Sequence, residues 1–233
     1  MPEAGNDPMV FPRAGRQRGP SARSTTWWGK AWVRSFEETV VEPNDLITAR
    51  ALSRSGRLGA VMIISGMASA VVDPGTSTAM IAQVRVRRLE EPQWQRFAAE
   101  LAREAGHLAA LETGDLPVDL VEHLDESGVE VMPGPGDFDS ACECDAWIQP
   151  CVHVLALLYQ LAWSIDRDPY ALLLLRGRTR DQVQDPGAAL PVEADDAAAR
   201  AATILALAED APGGHGLADT AVAAYDDEVS RLL

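Results

Sequence analysis

The three cysteines of this 233-residue chain all fall within ten positions, at Cys142, Cys144 and Cys151. His153, one of only four histidines, follows two positions after the last of them. The pattern is C-x-C-x6-C-x-H. Three thiolates and an imidazole complete a tetrahedral zinc set, and the spacing constrains how the chain must run around them. Cys142 and Cys144 are two apart, so on a strand or turn both thiolates face one side. The residues from Asp145 to Pro150 are enough for a turn back. Pro150 then opens a helix whose first turn carries Cys151 and His153, where the positive end of the helix dipole favours thiolate. The expected local structure is a β-hairpin followed by a helix, held by one structural Zn2+. Trp147 is expected to pack beside the site. Leu155, Leu158, Ala162 and Ile165 would tie the helix to a larger body.

The same pattern argues against several functions. Four protein ligands close the metal site, whereas a catalytic zinc keeps one position open. An odd, clustered set of cysteines is no disulfide framework and fits a reducing, cytoplasmic compartment. C-x-C is also not the C-x-x-C of redox motifs. The alternative, three buried cysteines acting as small apolar residues, leaves the matching histidine unexplained. The segment Gly134-Pro135-Gly136-Asp137 lacks the ending of a phosphate loop, and the acids from Glu122 to Glu130 lack the pattern of a calcium loop. With no identifiable Ser/His/Asp set, the expectation is a non-enzymatic protein without a small-molecule substrate. No apolar stretch reaches the roughly 18 residues that span a membrane.

Charge is uneven along the chain. The formal net charge is −15, which repels nucleic acid over most of a surface. From Arg13 to Arg34 there are basic residues and no acid. Residues 1–23, rich in Pro, Gly and Arg, read as a disordered basic arm. The possible nucleic-acid contacts are Arg13, Arg16, Arg18 and Arg23 of this arm, Lys30, and Arg85 with Arg87 on one strand face.

Periodicity supplies the body. Trp28, Trp32, Phe36 and Val40 recur every four residues over a helix from Thr26 to Val41, ended by Pro43. Residues 58–66 and 68–73 read as strands, and Ala79 to Leu89 as a third. Pro92 starts a long amphipathic helix to Thr113, and a shorter one covers Pro117 to Glu126. Helices follow from His153 to Ile165 and from Pro169 to Leu175. Beyond residue 185 an acidic, Ala-rich tail is expected to hold helices over 192–209 and 217–232. His107 reads as a buried structural histidine. The fold class is α+β: a small antiparallel sheet with packing helices over 24–139, a zinc-stapled unit over 140–184, and a helical tail over 185–233.

The segment from Cys142 to His153 resembles the SWIM zinc finger, whose pattern is C-x-C-x(n)-C-x-H. The flanking runs Thr26-Trp27-Trp28-Gly29-Lys30-Ala31-Trp32, Gly106-His107-Leu108-Ala109-Ala110-Leu111 and Asp168 to Gly177 are similar to bacterial SWIM zinc finger proteins. The resemblance covers residues 24–184. It implies binding of DNA or protein, often beside a Swi/Snf-type helicase-like ATPase. Where similar fingers often carry a lysine between the last two ligands, this chain has Val152. Glu143 and Asp145 make the finger acidic, which shifts the expectation towards a protein partner. Direct DNA binding through the basic arm is the alternative.

Overall fold

The computed structural model describes residues 8–17, 24–73, 75, 78–144 and 146–185. Five antiparallel strands form one sheet in chain order. They are β1 (Met9–Phe11), β2 (Val61–Ile64), β3 (Met67–Val72), β4 (Met80–Val86) and β5 (Phe138–Cys142). Val61 and Ile63 of β2, Ala68, Ala70 and Val72 of β3, and Ala82, Val84 and Val86 of β4 enter the main core. Their alternation is the two-residue period of a strand. Gly66 turns β2 into β3 with φ of 79°, a left-handed conformation that glycine adopts without a Cβ clash.

Eight helices accompany the sheet among the described residues. The first, α1 (Trp27–Glu37), is capped by Thr26, whose hydroxyl accepts from the Gly29 backbone N–H at 3.0 Å. The predicted aromatic stripe is its buried face: Trp28, Trp32 and Phe36. Next, α2 (Pro43–Ser53) begins at the proline that the sequence reading took as a stop. Proline suits the first position of a helix, where its missing N–H has no partner to lose. The long helix expected from Pro92 to Thr113 is two, α3 (Glu91–Arg103) and α4 (Ala105–Glu112), divided at Glu104 in an extended conformation. The break resets the helical phase so that His107 and Leu111 turn inward. The helix α5 (Val118–Glu126) packs on α3.

The centre of the molecule is α6 (Val152–Arg167), where 11 of 16 residues are buried. It contacts β2 to β5 as well as α1 and α2, so it is the middle layer of the structure. A helix apolar on every side belongs in such a place. Leu155, Leu158, Ala162 and Ile165 are all buried, as expected. Hydrogen bonds lock the layers: Trp32 Nε1 donates to Leu158 O at 3.0 Å, Trp28 Nε1 to Ile165 O at 3.0 Å, and Gln160 Nε2 to Ser53 O at 2.9 Å. A Cβ at Gly29 would lie 1.9 Å from Asp166 Oδ1, so a larger residue there would have to displace the Asp166 carboxylate that Thr25 N and the Thr26 hydroxyl donate to. The chain ends its described part with α7 (Tyr170–Leu175), wholly buried, and α8 (Arg180–Gln184).

The α+β reading stands, with corrections. The sheet has five strands, not three. The arm is not wholly disordered: Met9 to Phe11 pair with Ile63 to Val61 as an edge strand. The expected zinc hairpin does not form among the described residues. Its first strand is β5, which pairs with β4 of the main sheet, Cys142 opposite Ala82. The boundary expected at residue 140 therefore falls inside a strand. The tail helices over 192–209 and 217–232 lie outside the described residues.

Candidate metal centre

Two elements of the body converge on the cluster. The sheet presents Cys142 at the end of β5, and a contact just beyond it holds the strand in place: Ile81 N donates to Glu143 Oε2 at 2.8 Å. Cys144 follows in the turn. Cys151 is the N-cap of α6, with its carbonyl accepting from Leu155 N at 2.9 Å. His153 lies in the first turn. One ligand atom from each of Cys142, Cys144, Cys151 and His153 lies within 4.8 Å of the others. His153 Nδ1 is 3.9 Å from Cys142 Sγ and 4.0 Å from Cys151 Sγ. These four side chains are close enough to hold one metal ion.

Burial and charge set the thiol chemistry. Cys151 is buried within the core, while Cys142 and Cys144 are half-buried against it. The Cys142 thiol donates to Cys151 and holds the Cys151 pKa down, to about 5, against the opposing effect of burial. Backbone N–H groups of Val154 and His153 add to the same effect, as expected for a thiolate at a helix N-terminus. The partner thiol moves the other way: the bond to Cys151 and burial push Cys142 up. The two thiols therefore titrate as a pair, Cys151 shifted down and Cys142 up by the bond between them.

Between the second and third ligands the chain turns outward. Trp147 is 101% exposed and Ile148 66%. The expectation that Trp147 packs beside the site is therefore corrected. Its loop reaches outward, while Cys151 is buried as part of the main core without it.

A second group, Glu104, His107 and Asp119, also brings ligand atoms within 4.8 Å of one another. Here the buried His107 already faces Asp119 across 3.1 Å, and the two acids are more than half exposed. The hydrogen bond with His107 lowers the Asp119 pKa.

The residues expected to touch nucleic acid are spread over separate elements. Arg13 donates through Nε to Gly56 O at 2.9 Å. Arg16 is exposed beside it. Arg85 lies 3.9 Å from Asp139 and Arg87 3.5 Å from Asp137. Their acidic partners sit on β5 and the turn before it, which the sequence reading had not paired with β4. Lys30 is exposed on α1. Arg18 and Arg23 lie outside the described residues. Trp28 and Trp32 are core, and Trp27 is half-buried with its Nε1 donating to Leu116 O at 3.0 Å. No helix among the described residues is long and apolar enough to cross a membrane.

No family model matches the chain, and no solved structure matches it. Over 172 residues it is 29% identical to the uncharacterized protein Rv2102 of Mycobacterium tuberculosis. The match covers 71% of this chain and 62% of that protein, so the chain spans less than two thirds of its relative.

Proposed function

We propose that this protein is a non-enzymatic adaptor, stapled by one structural Zn2+, whose SWIM-type finger docks on a protein partner. The resemblance makes that partner a Swi/Snf-type helicase-like ATPase acting in DNA transactions. The observation that carries the reading is the loop between Cys144 and Cys151, which holds Trp147 101% exposed and Ile148 66% exposed. An aromatic and an aliphatic side chain held out together are typical anchors of a protein interface. The ligand set supports zinc. Three sulfurs and one nitrogen suit it, and its usual bond lengths put sulfur and nitrogen about 3.6 Å apart. The observed 3.9 and 4.0 Å need only a small contraction. Zinc would displace the thiol protons of its ligands, which is the ordinary coupling of metal binding to deprotonation.

Charge speaks to the partner. Glu143 is exposed beside the cluster, and three thiolates with Zn2+ sum to −1. A phosphate backbone is disfavoured there. Arg85 and Arg87, the strand residues of the DNA alternative, are both close to acids. The partner surface that fits is an apolar pocket with a basic rim. The test is affinity capture of the helicase-like ATPase with the zinc-loaded protein after nuclease treatment, beside Trp147→Ser. Wild type should retain the ATPase, and the variant should lose most of it at unchanged thermal stability. Equal capture by both proteins would remove the loop from the interface.

A further inference from the structure

A cavity of about 580 Å³ lies between α1, α2 and α6, away from the metal cluster. Its size is that of small-ligand sites, which run from about 300 to 1,000 Å³. Lys30 of α1, Arg50 and Arg54 of α2, and Tyr159 and Trp163 of α6 line it, with Glu37 as its acid. Three cations gathered around one carboxylate stand out in a chain of net charge −15.

The internal pairing decides which charges remain. Arg50 Nη2 donates to Glu37 Oε1 at 2.6 Å, and the Tyr159 hydroxyl donates to the same oxygen at 2.5 Å. Arg50 also lies over the Tyr159 ring at 5.5 Å, and Phe36 meets that ring edge-on at 5.0 Å. Glu37, Arg50 and Tyr159 therefore satisfy one another and form a rigid wall. Arg54 uses Nε on Arg50 O at 2.9 Å, which leaves its terminal nitrogens without an ion pair among the described residues. The Lys30 ammonium likewise has no acidic partner among them. Trp163 is half-buried and lines the cavity with no ring partner or hydrogen bond among the described residues. Two uncompensated cations and one unstacked indole thus face the same space.

We infer that this cavity binds a nucleotide unit, with its phosphate on Lys30 and Arg54 and its base on Trp163. A guanidinium fork and an ammonium suit a phosphate group, and an indole face stacks any base. A cationic ligand is excluded by charge, and an uncharged apolar one would leave both cations desolvated and unpaired. The unit can be a free mononucleotide or one residue of a single strand, since both present the same phosphate and ring. The site is independent of the finger and its partner.

The test is calorimetric titration of the zinc-loaded full chain with adenosine monophosphate, a short oligothymidylate and inorganic phosphate, repeated on Trp163→Ala, Arg54→Ala and Lys30→Glu. Saturable binding of either nucleotide probe is expected, weakened about tenfold or more in the tryptophan and arginine variants. Lys30 is exposed, so its variant reads the phosphate contact without disturbing the fold, and its affinity should fall as well. An oligomer binding at least tenfold tighter than the monophosphate identifies the single strand as the source, and equal affinities identify the free nucleotide. No binding of either probe, or unchanged affinity in all three variants, overturns the inference. Inorganic phosphate binding as tightly as the monophosphate overturns the stacking role of Trp163.

Discussion

Cys142, Cys144, Cys151 and His153 at the head of α6, and Glu104, His107 and Asp119 at the α3–α4 break, are both groups whose ligand atoms converge within 4.8 Å. They differ in what else can satisfy them. At the break, the buried His107 has Asp119 at 3.1 Å, and both acids reach water. His107 Nδ1 is buried without a hydrogen-bond partner among the described residues, but Nε2 is already engaged and the two acids are solvated, so no closed ligand shell forms there. At the head of α6, three soft sulfurs and an imidazole nitrogen crowd one another against the core, with Cys151 itself buried. Thiols packed so closely have no solvent to satisfy them all. Proximity alone does not define a metal site; the deciding matter is whether the groups are content without the metal.

Losing a thiol should have the largest effect. Cys144→Ser is expected to reduce zinc from one per chain to almost none, since binding at such sites contributes about 10–16 kcal/mol in isolated fingers. Hydrogen exchange should speed up from β5 to the first turn of α6 and stay slow in α3. A variant that keeps its zinc and its protection would end the contrast between the two groups. His107→Ala should cost about 0.5–1.5 kcal/mol for the lost hydrogen bond, since the Asp119 left behind is solvated. Its zinc content by mass spectrometry should not change. Zinc lost from that variant would make the break a metal site after all. Asp119→Asn should do least, and its effect should follow pH. The hydrogen bond from His107 lowers the Asp119 pKa, so the carboxylate contributes stability above its unfolded pKa. That contribution fades as pH falls through the lower folded value. The gap in urea midpoint between wild type and variant should therefore be open at neutral pH and close in acid. A gap that ignores pH would remove the His107–Asp119 hydrogen bond from the account.

How far the sequence could be read depended on how each element is stabilised. The stripe Trp28, Trp32 and Phe36, the alternating Val84 and Val86 of β4, and the continuous apolar run of α6 all bury their side chains. Their periods were therefore visible. The convergence of Cys142, Cys144, Cys151 and His153 was legible because residue type and spacing alone mark them as one set. Elements held mainly by backbone pairing were not. Met9 to Phe11 carry only three residues of pattern, and their place comes from pairing with β2. The strand β5 has an exposed-to-half-buried alternation and follows a Pro-Gly run, so its pairing with β4 is a tertiary fact. In α2, Ile47 points to water at 63% exposure while Ala49 is buried, which blurs the stripe. With α2 unread, the juxtaposition of Arg50 and Arg54 with Trp163 was out of reach too. Trp147 was misplaced because an aromatic residue is ordinarily apolar cargo for a core, and nothing local marks the one that faces outward.

The helix α6 runs unbroken from Val152, beside the third ligand, to Trp163 at the cavity. Those eleven steps span about 17 Å. With packed layers on its flanks, the helix is one straight ruler: it fixes the distance between the metal ligands at its head and the indole at the cavity.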